Sequence, residues 1–150
     1  MQIRKMKAED KDMVFGMMRV FYDSPAIVHK STDEVLRRDI DDCLSDCPFV
    51  EGYVFEKDGN IIGYAMVSKN YTTEYGGLCI WTEDLFLKEE YRHRGYSGEF
   101  FRYIEKEYPD AVRFKLVVEK ENENAVCAYI KNGYGVSDYS LMTKEMVKDG

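Results

Sequence analysis

An apolar strand that runs straight into a basic, glycine-bearing turn, and from there into a helix, constrains this chain more than any other feature. The stretch reads Asp84-Leu-Phe-Leu-Lys-Glu-Glu-Tyr-Arg-His-Arg-Gly-Tyr-Ser-Gly-Glu-Phe-Phe101. Its helix runs to about Tyr108, Pro109 helps to end it, and a further strand-like run follows from Arg113 to Glu119. Strand, helix and strand at this spacing form a crossover that joins parallel neighbours, so part of the sheet must be parallel. The turn is suited to an anion. Unpaired N–H groups at a helix start point outward, and the helix dipole adds partial positive charge. Gly95 and Gly98 remove side chains that would hold an anion off, while Arg92 and Arg94 offer guanidinium forks that match phosphate oxygens. The whole chain has 21 basic against 28 acidic residues, a net charge of -7, so the Arg92-His93-Arg94 cluster stands against its background. A charge run alone is usually a solvated face; its place between strand and helix favours the binding reading.

At 150 residues and 45% hydrophobic, the chain reads as one domain, residues 1–150, with a sizeable core. The acidic balance argues against a nucleic-acid partner and for attraction of small cations. Met1 to Lys7 is basic, but no apolar signal region follows, and no apolar run approaches the ~18 residues of a membrane span. The expectation is a cytoplasmic protein with no membrane partner. Cys43, Cys47, Cys79 and Cys127 form no C-x-x-C pair. Cys43 and Cys47 lie one helical turn apart, where Cβ atoms about 5–6 Å apart exceed disulfide geometry, so buried free thiols are expected. With only His29 and His93 available, no metal is expected.

The remaining elements follow from periodicity. Gln2 to Met6 reads as a strand, and about Ala8 to Tyr22 as a helix whose Val14, Met17, Met18 and Phe21 recur at helical spacing. Asp23-Ser24-Pro25 breaks it. Ser31 with Glu34 predicts a capping box for a second helix carrying Leu36, Ile40, Cys43, Leu44 and Cys47, with Pro48 at its end. From Val50 the period becomes two: a strand through Tyr53 and Phe55, a Lys57-Asp58-Gly59-Asn60 turn, and a strand from Ile61 to about Ser68 make an antiparallel hairpin. After Gly76-Gly77, strict alternation along Cys79 to Leu87 would put Cys79, Trp81, Glu83, Leu85 and Leu87 on one face. A helix over about Asn124 to Lys131, a cap at Gly133 and a strand over Ser140 to Val147 complete the series.

Two motifs within this order carry a resemblance. Arg92-His93-Arg94-Gly95-Tyr96-Ser97 fits the pattern Gln/Arg-x-x-Gly-x-Gly/Ala at every position but the last, where Ser97 is small and Gly98 follows. Asn122, Ala125, Tyr129, Gly133 and Tyr134 match N-x-x-A-x-x-x-Y-x-x-x-G-F/Y in full, one strand and one helix downstream. In these motifs, and in the order of elements over nearly the whole chain, the sequence resembles the GNAT N-acetyltransferase superfamily. Its Trp81 to Gly98 segment looks most like the diamine and polyamine acetyltransferase branch. The implied fold is α/β (α+β), a single domain with a mixed, mostly antiparallel sheet of about six to seven strands, a splayed central parallel pair and about four helices.

The resemblance also implies roles. The strand segment Leu85, Phe86 and Leu87 would line the pantetheine arm of acetyl-CoA, and Arg92, His93, Arg94, Gly95, Tyr96, Ser97 and Gly98 would hold its pyrophosphate. Asn122 would contact the cofactor, and Tyr129 would act as general acid toward the leaving thiolate, a proton transfer between groups of similar basicity. A strand N–H near Leu85 would steady the tetrahedral intermediate. Alternation places one of Glu83 and Asp84 toward the cleft; Glu83 is favoured as base, with Asp84 bracing the strand or contacting substrate. Both carboxylates equally fit a role in attracting a cationic amine. Tyr22 and Asp23, where the first two helices meet, and Glu74, before the Gly76-Gly77 turn, are further acceptor candidates. The expected reaction is direct transfer of acetyl from acetyl-CoA to a primary amine of a small cationic molecule in a ternary complex. A homodimer is expected from the relatives. The alternatives are an idle acyl-CoA-binding or regulatory domain, which would have no use for Tyr129, and an acetyltransferase of protein lysines or N-termini. A dinucleotide-binding domain would need G-x-G-x-x-G after the first strand, which is absent.

Overall fold

Five strands and four α-helices form among residues 1–146, the part of the chain that the computed structural model describes. They follow as β1 (Gln2–Lys5), α1 (Lys11–Asp23), α2 (Asp33–Leu44), β2 (Val50–Lys57), β3 (Asn60–Thr72), β4 (Gly77–Leu87), α3 (Tyr96–Glu107), β5 (Ala111–Leu116) and α4 (Glu123–Lys131). The strands lie side by side in chain order, antiparallel from β1 to β4, and β5 joins β4 in parallel across the α3 crossover. The parallel pair that the crossover predicts is therefore present, but at the edge of the sheet among the described residues, where a central pair was expected.

The sheet separates two apolar layers. Val14, Met17 and Met18 of α1 and Leu36 and Ile40 of α2 bury against Val54, Tyr64, Met66 and Phe86. On the opposite face Phe100, Phe101 and Ile104 of α3 pack on Tyr53, Phe55, Ile62, Ala65, Val67 and Ile80. Each large side chain so buried contributes about 1.5–3 kcal/mol, which is what holds helices of modest intrinsic stability on the sheet. At the β1 end, Arg4 grips the carboxylate of Asp10 through two hydrogen bonds of 2.8 and 3.0 Å and reaches Glu56 at 2.9 Å. Asp10 is held below the usual carboxylate range, first by the Arg4 bonds and then, against the cost of burial, by the Lys7 N–H.

Several expectations need correction. The sheet has five strands among the described residues, where six to seven were expected. Ser140 to Met146 pairs with no strand among the described residues, and Val147 lies outside them. Leu141 and Met142 stand adjacent and both exposed, so this stretch has no continuous apolar side to lay on β5. The cap of α2 is Thr32, whose side chain accepts the Val35 N–H, in place of Ser31. β5 starts two residues earlier and ends three earlier than the Arg113–Glu119 run. All four cysteines are free, but only Cys79 is buried; Cys43 and Cys47 are half-buried and Cys127 is exposed, where burial was expected. No helix among the described residues is long and apolar enough to cross a membrane.

Two local departures in β4 shape everything that follows. Met66 of β3 faces Asp84 while Val67 faces Thr82, so Glu83 has no partner and forms a bulge. A bulge inserts one residue and shifts the alternation beyond it. Residues paired across β3 and β4 share a face, so Leu85 lies with Ala65 on the α3 side and Asp84 with Met66 on the α1 and α2 side. The second departure is that β4 pairs with β5 only over Leu78 to Thr82. From Glu83 to Leu87, β4 keeps β3 as its one neighbour, and its other edge is open.

Candidate active site

The basic turn begins where that open edge ends. A single 3₁₀ turn, Glu89–Tyr91, leads from β4 into Arg92, and α3 starts at Tyr96 behind Gly95. Gly95 has φ 82°, a left-handed conformation that glycine adopts without the steric cost of a Cβ, and no neighbouring atom lies within 4 Å of where a Cβ would stand. No side chain caps the helix, so its first N–H groups face outward at the positive end of a 12-residue dipole. His93 also has a positive φ, 62°, which bends the chain tightly around the turn.

Arg92, His93, Arg94 and Gly95 are exposed on this turn. The Arg92 Nε donates to the Leu87 carbonyl at 2.9 Å, which ties the turn to the end of β4 and leaves the rest of the guanidinium fork free for a ligand. Arg94 lies over the Tyr91 ring at 5.7 Å. Ser97 is half-buried, and Tyr96 turns into the core, where it offers a ligand only its backbone. Gly98 is buried, and its lack of a side chain has a packing consequence. A Cβ there would stand 2.8 Å from the Asn132 Oδ1, so its smallness lets the end of α4 approach α3.

Leu85, Phe86 and Leu87 lie on the open edge as expected, with backbone groups that no β5 residue engages. The bulge overturns the expected arrangement of the two acids. Glu83 does not share a face with Leu85 and Leu87; the Ser68 hydroxyl donates to its Oε1 at 2.7 Å, on the Asp84 side. Consecutive carboxylates thus stand on one face, where plain alternation would divide them. Glu83 is exposed and lines a cavity of about 340 Å³ with Ser68, Asn70, Trp81, Val117 and Leu141.

Asp84 is 3% exposed. The Tyr22 hydroxyl donates to its Oδ1 at 2.9 Å, and the Tyr64 hydroxyl to its Oδ2 at 2.8 Å. Burial raises the Asp84 carboxyl to about 6; the two phenol bonds oppose that rise, and the nearby Asp39 and Glu83 charges add to it. Asp39, on α2, is raised to about 6 by its own burial. The Tyr22 and Tyr64 phenols are pushed up by burial first and by Asp84 second, so both stay protonated donors.

Tyr129 stands half-buried on α4, edge-on to Phe101 with ring centres 5.8 Å apart and 6.2 Å from the Tyr134 ring. Burial raises its pKa, so it is a phenol able to give a proton. Its neighbours belong to the α3 layer, opposite the face of Asp84. Asn122 caps α4, accepting the Ala125 N–H at 3.4 Å, and is itself exposed.

Two candidates are not brought into the group. Asp23 turns back along α1 to Arg19, with bonds of 2.9 and 3.3 Å. Glu74 sits at the β3–β4 hairpin tip, 3.6 Å from the Arg113 guanidinium and about 20 Å along the strand from Asp84. Sequence reasoning also missed Tyr64, Ser68 and Asp39. Tyr64 reads as an ordinary core aromatic of a period-two strand, and only the bulge in the facing strand discloses its partner. Among the described residues, no three His, Cys, Asp or Glu side chains converge to hold a metal ion.

Comparison with known proteins bears on this arrangement. Residues 15–134 match the family model described as acetyltransferase (GNAT) family. None of the curated proteins compared with the chain matches it. Among solved structures, a possible acetyltransferase from Clostridium difficile 630 superposes with a TM-score of 0.82 at 21% identity, over 98% of both chains. An aminoglycoside N-acetyltransferase, AAC(6')-Iy, solved in complex with CoA, superposes with a TM-score of 0.79 at 15% identity, over 97% of this chain and 95% of that one. A predicted acetyltransferase from Clostridium acetobutylicum, solved with acetyl-CoA, gives 0.75 at 17% identity over 95% of each chain. At these identities the structural likeness speaks for the fold alone.

Proposed function

As the chain belongs to the acetyltransferase (GNAT) family, we propose that it moves the acetyl group of acetyl-CoA to the nitrogen of a small cationic primary amine, by direct attack within a ternary complex. The observation that carries this reading is the continuity of the open β4 edge with the uncapped start of α3. An extended arm can pair its amides along Leu85 to Leu87 while the diphosphate at its end meets the N–H groups and guanidinium forks of residues 92–97. Gly98 supports that site from behind, through the α3–α4 contact.

On this reading the thioester lies in the gap between β4 and β5, with Tyr129 on one side and the carboxylates on the other. Tyr129 gives its proton to the departing sulfur. Glu83, exposed beside the Trp81-lined cavity, meets the incoming ammonium, and the acidic surroundings favour a cation there. Asn122 acts through the cap that fixes the start of α4. The acceptor is not a metal-bound or nucleic-acid group but an amine drawn by charge, and diamines or polyamines lead the field because of the Glu83-Asp84 pair.

The test combines binding with turnover. Acetyl-CoA should raise the melting temperature while ATP and NAD leave it unchanged; at a ligand concentration of 100 Kd the gain is about 2.7 kcal/mol. A panel of diamines, polyamines, amino acids, aminoglycosides and lysine peptides, assayed for free CoA thiol, should give release with small polyamine-like acceptors. Stabilisation without thiol release from any amine would favour the idle-domain alternative, and release with peptides alone would favour a protein acetyltransferase.

A further inference from the structure

We propose that the proton lost by the acceptor amine travels inward through the Tyr22 hydroxyl to Asp84, with Tyr64 fixing the carboxylate from behind. This rests on the acetyl-transfer reading above. Asp84 cannot meet a substrate directly, because it is 3% exposed and each of its oxygens already accepts a phenol, at 2.9 and 2.8 Å. Among the described residues no Lys, Arg or His lies within ion-pair distance of it. A buried carboxylate without a cation is expensive, and two neutral donors could hold an asparagine oxygen at less cost. Retention of the charge points to its use. The two phenols differ in access: Tyr64 is 0% exposed within the core, while Tyr22 is half-buried on the last turn of α1. Of the two phenols bonded to Asp84, Tyr22 is therefore the one that an arriving amine can touch. Glu83, carried to the same face by the bulge, lies close enough for its charge to act on both Tyr22 and Asp84.

The step balances as follows. A substrate ammonium gives one proton to the Tyr22 oxygen as the Tyr22 O–H proton passes to Asp84 Oδ1, leaving a neutral phenol, a carboxylic acid and a free amine. The amine nitrogen bonds to the acetyl carbon, the C–S bond breaks, and the second proton of the adduct leaves with the thiolate by way of Tyr129. Between turnovers Asp84 returns its proton to solvent through the same phenol. The groups facing this carboxylate are Tyr22 from α1, Asp39 and Cys43 from α2, Tyr64 from β3 and Glu83 from β4. The phenols favour its ionised form; the acids oppose it.

The experiment measures kcat/KM against pH, and the solvent isotope effect in mixed H₂O and D₂O, with whichever amine of the panel is turned over. The wild type should lose activity as pH falls below about 6, where Asp84 already holds its proton, and its isotope dependence should curve, as two protons move together. Tyr22→Phe should lower kcat about 100-fold, straighten the curve and leave the KM for acetyl-CoA unchanged. Tyr64→Phe removes a donor to the ionised form and should move the acidic limb upward by about one pH unit. A straight wild-type isotope dependence, which needs no variant to fold, or a Tyr22→Phe profile matching the wild type, would overturn the relay while leaving acetyl transfer standing. Absence of thiol release with every amine would instead sink the acetyl-transfer reading itself, and the relay with it.

Discussion

Tyr129 is the residue proposed to give the leaving thiolate its proton, and its surroundings make that proposal testable. Its ring packs on Phe101 and Tyr134, contacts that phenylalanine would keep, so Tyr129→Phe should fold normally. It should lower kcat about 100-fold with the dissociation constant for acetyl-CoA unchanged, as stopped-flow or calorimetric binding beside steady-state rates would read; an unchanged kcat would remove it from the acid role. At this scale the sequence was a good guide to residues whose placement is local. Arg92, Gly95 and Tyr129 were legible because a turn, a positive φ or a helix face is encoded by neighbours in the chain. Asp23 and Glu74 misled because an exposed acid beside a turn says nothing of the arginine that captures it, Arg19 in one case and Arg113 in the other.

Among elements, the α3–α4 contact deserves the sharpest prediction, since α4 carries Tyr129. In Gly98→Ala the new methyl would meet the Asn132 side chain, whose Nδ2 donates to Ala128 at 2.8 Å. Displacing that amide should cost about 1–2 kcal/mol, a melting temperature lower by about 3–6 °C, and should reduce kcat by moving Tyr129. Equal melting curves would show the contact to be slack. The helices and the β2–β3 hairpin could be read from periodicity because each repeats a pattern over many residues. The bulge could not: one unpaired residue, Glu83, is invisible to a period-two template that fits on both sides of it, and the face of every later β4 residue changes with it. The tail after Gly133 failed for the opposite reason, since strand-forming residues without a partner make no strand.

For the molecule as a whole, stability should peak at mildly acidic pH. In the folded chain Asp84 and Asp39 keep their protons up to about 6, whereas unfolded carboxylates release theirs near ~3.9. Between those values the folded state binds more protons, so stability falls as pH rises and levels off once both groups have ionised. Asp10 acts oppositely: its lowered folded pKa gives stability that is fully present above the unfolded value and is lost as pH falls below it. Urea unfolding at a series of pH values should therefore show a maximum near pH ~4–5. Asp84→Asn should flatten the decline toward neutral pH, a difference on the order of 2 kcal/mol; a curve that keeps its slope would place the cost elsewhere. The one parallel pair was legible from element spacing, while the strand count, five among the described residues where six to seven were expected, and the distribution of charge between the two faces were not. The second acid on that face hangs on one extra residue. Exchanging Glu83 for another amino acid would keep the bulge, whereas excising the position would close it and leave Thr82 opposite Val67 and Asp84 opposite Met66, the aspartate still beneath Tyr22. Evolution can thus add or withdraw the exposed acid at the mouth without turning the buried one.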